Sequence, residues 1–195
     1  FSPAKVSFLS IEFTDTDREG CGCCVIPQEG VLDFVVEDLE KAEGLSQKVE
    51  NKTLIDRVLE ILNRERLLCE ELSSEELSAL KNYSFITAKP FIIWQNQELN
   101  ALFGEIIQKT RSCVFFTVNK NEARAWLIQE GIDVVSAASK IHTDLAKGFI
   151  RAEVYNIENL EALKNIEEGK QRGIVKVVDR DYIVEDGDVI NIKFK

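Results

Sequence analysis

Residues 140–154, KIHTDLAKGFIRAEV, hold the only histidine of the chain and read as a helix end, a turn and a strand start. Val134, Val135, Ala138, Ile141 and Leu145 recur at threes and fours, which predicts a helix over 133–146. Gly148 then admits the chain to a strand, GFIRAEVY, at 148–155. His142 stands two residues before Asp144, so a general base oriented by a carboxylate is one reading. Positions i and i+2 of a helix point apart, so that pairing requires the helix to stop at His142. The other reading, a helix-to-strand turn, is the one expected.

Working outward, CVFFTV (113–118) and ARAWLIQ (123–129) read as strands around a polar turn at Asn119-Lys120-Asn121. A helix is expected over 157–168, and strands at 174–178, 182–185 and 188–194, with Asp186-Gly187 as a turn signal. Strand pair, helix, then several strands is the order of a β-grasp, the ubiquitin-like architecture. On the N-terminal side, residues 4–13 read as a strand and 14–30 as a loop. Val31, Val35, Leu39, Ala42, Leu45 and Val49 line one helical face, and Leu54, Ile55, Val58, Ile61, Leu62, Leu68 and Leu72 a second. Together they predict an antiparallel, coiled-coil-like helical hairpin over 31–72. Ser73 reads as a helix cap, residues 91–94 (FIIW) as a strand and 98–110 as an amphipathic helix.

The net charge of −10 is unevenly spread: residues 1–111 carry −8 and residues 112–195 carry −2. Such an acidic chain is a poor general binder of phosphate backbones, and no DNA partner is expected. No window is apolar enough to cross a membrane, and the first residues lack the basic start of a leader, so neither is expected. Five cysteines, an odd number, point to reduced thiols and a cytoplasmic setting.

The stretches IHTDLAKGFIRAEV (141–154) and YIVEDGDVINIKF (182–194) resemble the C-terminal TGS domain of the Obg-like ATPase (YchF) family. FFTVNKNEARAWLIQEG (115–131) resembles the segment entering that domain, LKNYSFITAKPFIIW (80–94) the strand returning from the family's inserted hairpin, and PAKVSFLSIE (3–12) the strand near its G3 region. The resemblance implies an α/β fold. A remnant of a P-loop GTPase-like domain with an inserted hairpin would fill residues 1–111, and a β-grasp TGS domain residues 112–195. It also implies ATP or GTP with Mg²⁺ as the family's cofactor, and a ribosome, RNA or protein partner in translation.

Against that resemblance the nucleotide site is depleted. Phosphate capture needs G-x-x-x-x-G-K-[ST], whose turn aims backbone N–H groups at phosphates, and the 195 residues contain no such run. Ser10 and Phe13 stand where the family has the Asp and Gly of its G3 motif. Gln95-Asn96-Gln97-Glu98 matches the family's base-reading Asn-x-x-Glu, with Gln95 in place of the Asn. The expectation is a degenerate or N-terminally truncated relative, without a bound cofactor and more a binding protein than an enzyme. The alternative is part of a nucleotide hydrolase.

Four further features each carry two readings. Cys21, Cys23 and Cys24 are candidate soft metal ligands or a redox site, with Cys69 or Cys113 to complete the set. Neighbouring cysteines chelate one tetrahedral ion poorly, so a thiol-bearing loop is expected and no metal is assigned. Lys140, Lys147, Arg151 and Lys176 are candidates for a basic face for RNA or a protein partner, against ordinary surface charge. Trp94 and Trp126 are expected in the core, the alternative being platforms for bases. The hairpin is either a partner-binding arm or a self-satisfied pair.

Overall fold

The computed structural model describes residues 5–7, 11–13, 20–46, 52–163 and 165–195. In chain order the strands are β1 (Lys5–Ser7), β2 (Cys24–Ile26), β3 (Phe91–Ile93), β4 (Ser112–Val118), β5 (Glu122–Gln129), β6 (Phe149–Asn156), β7 (Lys176–Val178) and β8 (Asp188–Phe194). The helices are α1 (Val31–Leu45), α2 (Lys52–Asn63), α3 (Leu68–Glu71), α4 (Ser74–Ala79), α5 (Leu99–Lys109), α6 (Val134–Ile141), α7 (Thr143–Lys147) and α8 (Ile166–Gln171). The fold is mixed α/β and divides into two compact units. Residues 1–12 join 111–195 in one, and residues 13–110 form the other. The strand expected with the first region, β1, thus belongs with the C-terminal sheet, where it runs parallel to β5.

That sheet has the order β1-β5-β4-β8-β6-β7. Alternation along the strands separates two apolar layers. Cys113, Phe115, Ile128, Ala152, Val154 and Ile190 pack on one face with Val134 and Ala137 of α6. Tyr155 and Val189 pack on the other with Val175, against Leu163 and Ile166. Glycine fits closely where α8 meets this second layer: a Cβ on Gly169 would press on Leu163 Cδ2 and lie 2.6 Å from Val175 Cγ2, so these side chains would have to shift.

The unit of residues 13–110 holds the parallel pair β2–β3 and a core of Val35, Ala42, Ile55, Val58, Leu62, Leu68 and Phe91, among others. Helices α1 and α2 pack on each other. Asp38 lies on the same face of α1 as Val35 and Ala42 and is 1% exposed. Its Oδ1 accepts from the Ile86 N–H (3.1 Å), and its Oδ2 from the Thr87 N–H (2.7 Å) and hydroxyl (2.6 Å). Ser73 caps α4 in a reciprocal box with Glu76.

Several expectations are corrected. The loop expected over 14–30 contains β2, whose partner is supplied by β3 far along the chain. The second helix of the predicted hairpin stops at Asn63 instead of running to Leu72. Glu65 takes a left-handed φ of 58°, and the buried Leu67 and Leu68 resume in a separate short helix. Helix 133–146 breaks at His142, which is extended (φ −164°, ψ 140°). Residues 157–162 form a 3-10 turn, and the α-helix begins only at Ile166, capped by Asn165. Residues 182–185 form no strand; Ile183 makes one isolated bridge to Asp133. Phe8, Leu9, Ser10, Val49 and Asn51 lie outside the described residues.

Candidate functional site

The expected base-reading segment lies just past the carboxyl end of β3, beside its parallel neighbour β2. Crevices at the carboxyl ends of parallel strands are where α/β folds place ligands. Here the Gln95 N–H donates to Gln97 Oε1 (2.8 Å), Asn96 is held at φ 57°, and Glu98 caps α5 through its backbone alone. Gln95, Asn96 and Glu98 are exposed. These side chains offer hydrogen bonds to a base edge and no cation or hydroxyl for phosphate and Mg²⁺. Phe13, expected where the family has a G3 glycine, is 57% exposed.

His142 is a cap. Its Nδ1 accepts the Asp144 N–H (3.2 Å) and lies 3.4 Å from Asp144 Oδ2, with both side chains exposed to solvent. The helix does stop at His142, as the catalytic pairing required. An exposed ring whose Nδ1 caps α7 is nevertheless a structural device for turning α6 into β6.

The four candidate cations do not converge. Arg151 faces Lys193 across the sheet and shares a side with Glu153, while Lys176 pairs with Val154 and shares the side carrying α6. The sheet therefore separates Arg151 from Lys176. Lys140 and Lys147 sit exposed in the last turns of α6 and α7. What the Arg151 side holds is a network that sequence spacing could not reveal. Glu153, 5% exposed, pairs with Lys170 (2.7 Å) and Lys193 (3.2 Å) and accepts from Asn191 Nδ2 (3.0 Å). Burial pushes the Glu153 carboxyl up, but hydrogen bonds and charge from Lys170 and Lys193 outweigh it and hold the carboxyl below its ordinary value. A lowered folded value means stability contributed at neutral pH and lost as pH falls below the ordinary Glu range, near ~4.3, through the lowered one. Glu153→Gln is expected to cost about 1 kcal/mol at neutral pH, after discounting for the exposure of both lysines. The gap from the unsubstituted chain should close on acidification. Urea titrations at a series of pH values check this, and a gap that widens below the Glu range would refute it.

A cleft of about 300 Å³ opens between Asn156, Lys176, Tyr182, Glu185 and Asp188. Asp188 is 3% exposed, and burial pushes its carboxyl up. Its Oδ2 accepts from the Tyr182 hydroxyl (2.9 Å) and the Glu185 N–H (3.0 Å), so it fastens the 182–188 loop. Trp126 is half-buried: its Nε1–H donates to Thr117 Oγ1 (3.0 Å), Arg124 lies 4.1 Å over the ring, and Phe115 stacks at 6.3 Å. Trp94 is half-buried and donates its N–H to Ile26 O.

All five cysteines are thiols. Among the described residues, no group of three or more His, Cys, Asp or Glu side chains is placed to hold a metal ion. Burial, then the Cys21 charge, pushes Cys23 up. Cys24 is pushed up to about 12 by burial first and by Cys21 second.

Residues 113–195 match the sequence-family model described as YchF-GTPase_C, protein of unknown function (DUF933). These residues are a YchF-type C-terminal domain. The sequence is homologous to YchF and Obg-like ATPases over the stretches that match them. It is 33% identical over 155 residues to the protein named ribosome-binding ATPase YchF of Haemophilus influenzae, covering 74% of this chain and 41% of that one. It is 38% identical over 128 residues to human Obg-like ATPase 1, covering 64% and 30%. The Mycoplasma genitalium ribosome-binding ATPase YchF matches at 38% over 96 residues, or 49% and 26%. This YchF homologue thus spans well under half the length of those relatives. Its fold is similar to that of the Schizosaccharomyces pombe YchF GTPase, at a TM-score of 0.72 and 17% identity, over 96% of this chain and 70% of that one. Among the described residues, no helix is long and apolar enough to cross a membrane.

Proposed function

We propose that this chain is a binding and regulatory protein that engages the ribosome through residues 113–195 and does not itself hydrolyse nucleotide. The match of those residues to the YchF C-terminal domain carries the reading, because relatives matched over the chain bear the name ribosome-binding ATPase. The strand order β5-β4-β8-β6, with α6 on one face, supports assigning a β-grasp TGS domain to them. The packing of α1 on α2 supports a helical hairpin as a second arm. The charge distribution favours the same end of the chain. Residues 1–111 carry most of the −10 and would repel rRNA, whereas the near-neutral remainder would not. Ribosome engagement places the protein in the cytoplasm.

The full chain is expected to sediment with purified ribosomes through a sucrose cushion at low salt. The bound fraction should fall as salt rises, because phosphate contacts release counterions. Absence from the ribosomal pellet at low salt would overturn the proposal. A second reading, nucleotide binding as part of a longer YchF-like protein, draws on the position of Gln95–Glu98 at the carboxyl ends of a parallel pair. Calorimetric titration with ATP or GTP and Mg²⁺ separates the two. No heat of binding is expected, and saturable binding would favour the nucleotide reading.

A further inference from the structure

Cys21 and Cys24 stand at C-x-x-C spacing. Cys21 is the neighbouring side chain that acts most on the Cys24 thiol. The two ends of the pair are fastened to consecutive residues, Cys21 to Lys89 and Cys24 to Pro90. Lys89 Nζ lies 3.1 Å from Cys21 O and 3.7 Å from Cys21 Sγ, and the Cys24 N–H donates to Pro90 O (2.8 Å). Cys24 is held further by its register with Phe91 as the first residue of β2. Cys21 is half-buried and its neighbour Gly22 is exposed, so a small oxidant has access.

We infer that Cys21 and Cys24 are a redox-responsive pair that closes to an intramolecular disulfide on exposure to a peroxide. The Cys21 sulfur attacks one peroxide oxygen, the S–O bond forms as the O–O bond breaks, and the departing hydroxide takes up a proton as water. The Cys24 sulfur then attacks the sulfenic sulfur. The S–S bond forms as the S–O bond breaks, and the hydroxyl leaves with the Cys24 proton as a second water. Two thiols lose two electrons and one peroxide gains them. The Lys89 ammonium, beside the attacking sulfur, stabilises the negative charge that sulfur brings to the first step. Cys23 is the bystander: Cys21 acts on Cys24 more than Cys23 does, and burial pushes the Cys23 thiol up.

The test uses the reduced full chain, treated with hydrogen peroxide, alkylated with iodoacetamide and cut with trypsin. Residues 19–41 leave as one peptide carrying all three cysteines. Tandem mass spectrometry is expected to find that peptide short of two hydrogens, with its single alkyl group on Cys23. Dithiothreitol should restore triple alkylation. Cys23→Ser should leave the bridge intact, and Lys89→Gln should slow its formation several-fold. The inference is overturned by a bridge through Cys23, by sulfinic or sulfonic acid at Cys21 without a bridge, or by three alkylated cysteines after peroxide. The mapping is made on the unsubstituted chain, so its outcome stands even where a variant folds poorly.

Discussion

Replacing Asp38 with alanine is expected to cost the unit of residues 13–110 about 3–5 kcal/mol of folding stability. The carboxylate is 1% exposed and receives three donors from the 3-10 turn Ile86–Ala88. Truncation leaves the Ile86 and Thr87 N–H groups buried and unpaired, at roughly 1–3 kcal/mol each, and removes hydrogen bonds made stronger by charge. Asn in its place keeps one carbonyl but turns an amide NH₂ toward donors, so Asp38→Asn should recover little. Urea unfolding gives the total. Hydrogen exchange at the Ile86 and Thr87 amides gives the local effect, since their protection depends on this carboxylate. A loss below about 1 kcal/mol would mean that water replaces Asp38 at the turn, and the assignment would fail.

Asp38 also marks the limit of what sequence periodicity conveys. The seam of α1 is legible, because Val35 and Ala42 repeat with the helix. Asp38 sits three after one and four before the other, and its burial depends on partners 48 and 49 residues away that no spacing rule names. The same limit hides β2. Cys24-Val25-Ile26 is too short to show alternation and becomes a strand only because β3 lies beside it. The early end of α2 arises differently. Leu67, Leu68 and Leu72 continue the apolar pattern, but Arg64-Glu65-Arg66 is a turn, with Glu65 left-handed. Asn165-x-x-Glu168 is a readable cap signal for α8, and it sets the start of that helix well after the 157 expected. The candidate cations are separated by strand register: Lys176 of β7 pairs with Val154 of β6, three residues on from Arg151, so Arg151 and Lys176 fall on opposite faces of the sheet. Chemistry that depends on neighbours in sequence, such as the His142 cap and the Cys21–Cys24 pair, was visible as residues. What each residue does there required the backbone.

In the C-terminal unit the largest loss is expected from Phe115→Ala, about 3–5 kcal/mol. Phe115 is 0% exposed on β4, a strand with β5 on one side and β8 on the other. Its ring faces Trp126 across the β4–β5 register and stacks on it at 6.3 Å with an interplanar angle of 15°. Removing the ring forfeits its transfer from water and opens a cavity in the layer it shares with Cys113, Ile128, Val134 and Ala137. The aromatic pair adds roughly 0.5–1.5 kcal/mol, which is already contained in such a truncation measurement. Leu127→Ala makes the control. Leu127 is the neighbour of Trp126 on the same strand, but it points to the opposite face and is 38% exposed, so its loss should stay near 1 kcal/mol or below. If burial on the α6 side is what holds the sheet, Phe115→Ala strips hydrogen-exchange protection from the amides of β4 and β5 while Leu127→Ala leaves it. Equal losses for the two variants would show that strand pairing, and not this apolar layer, sets the stability of the sheet.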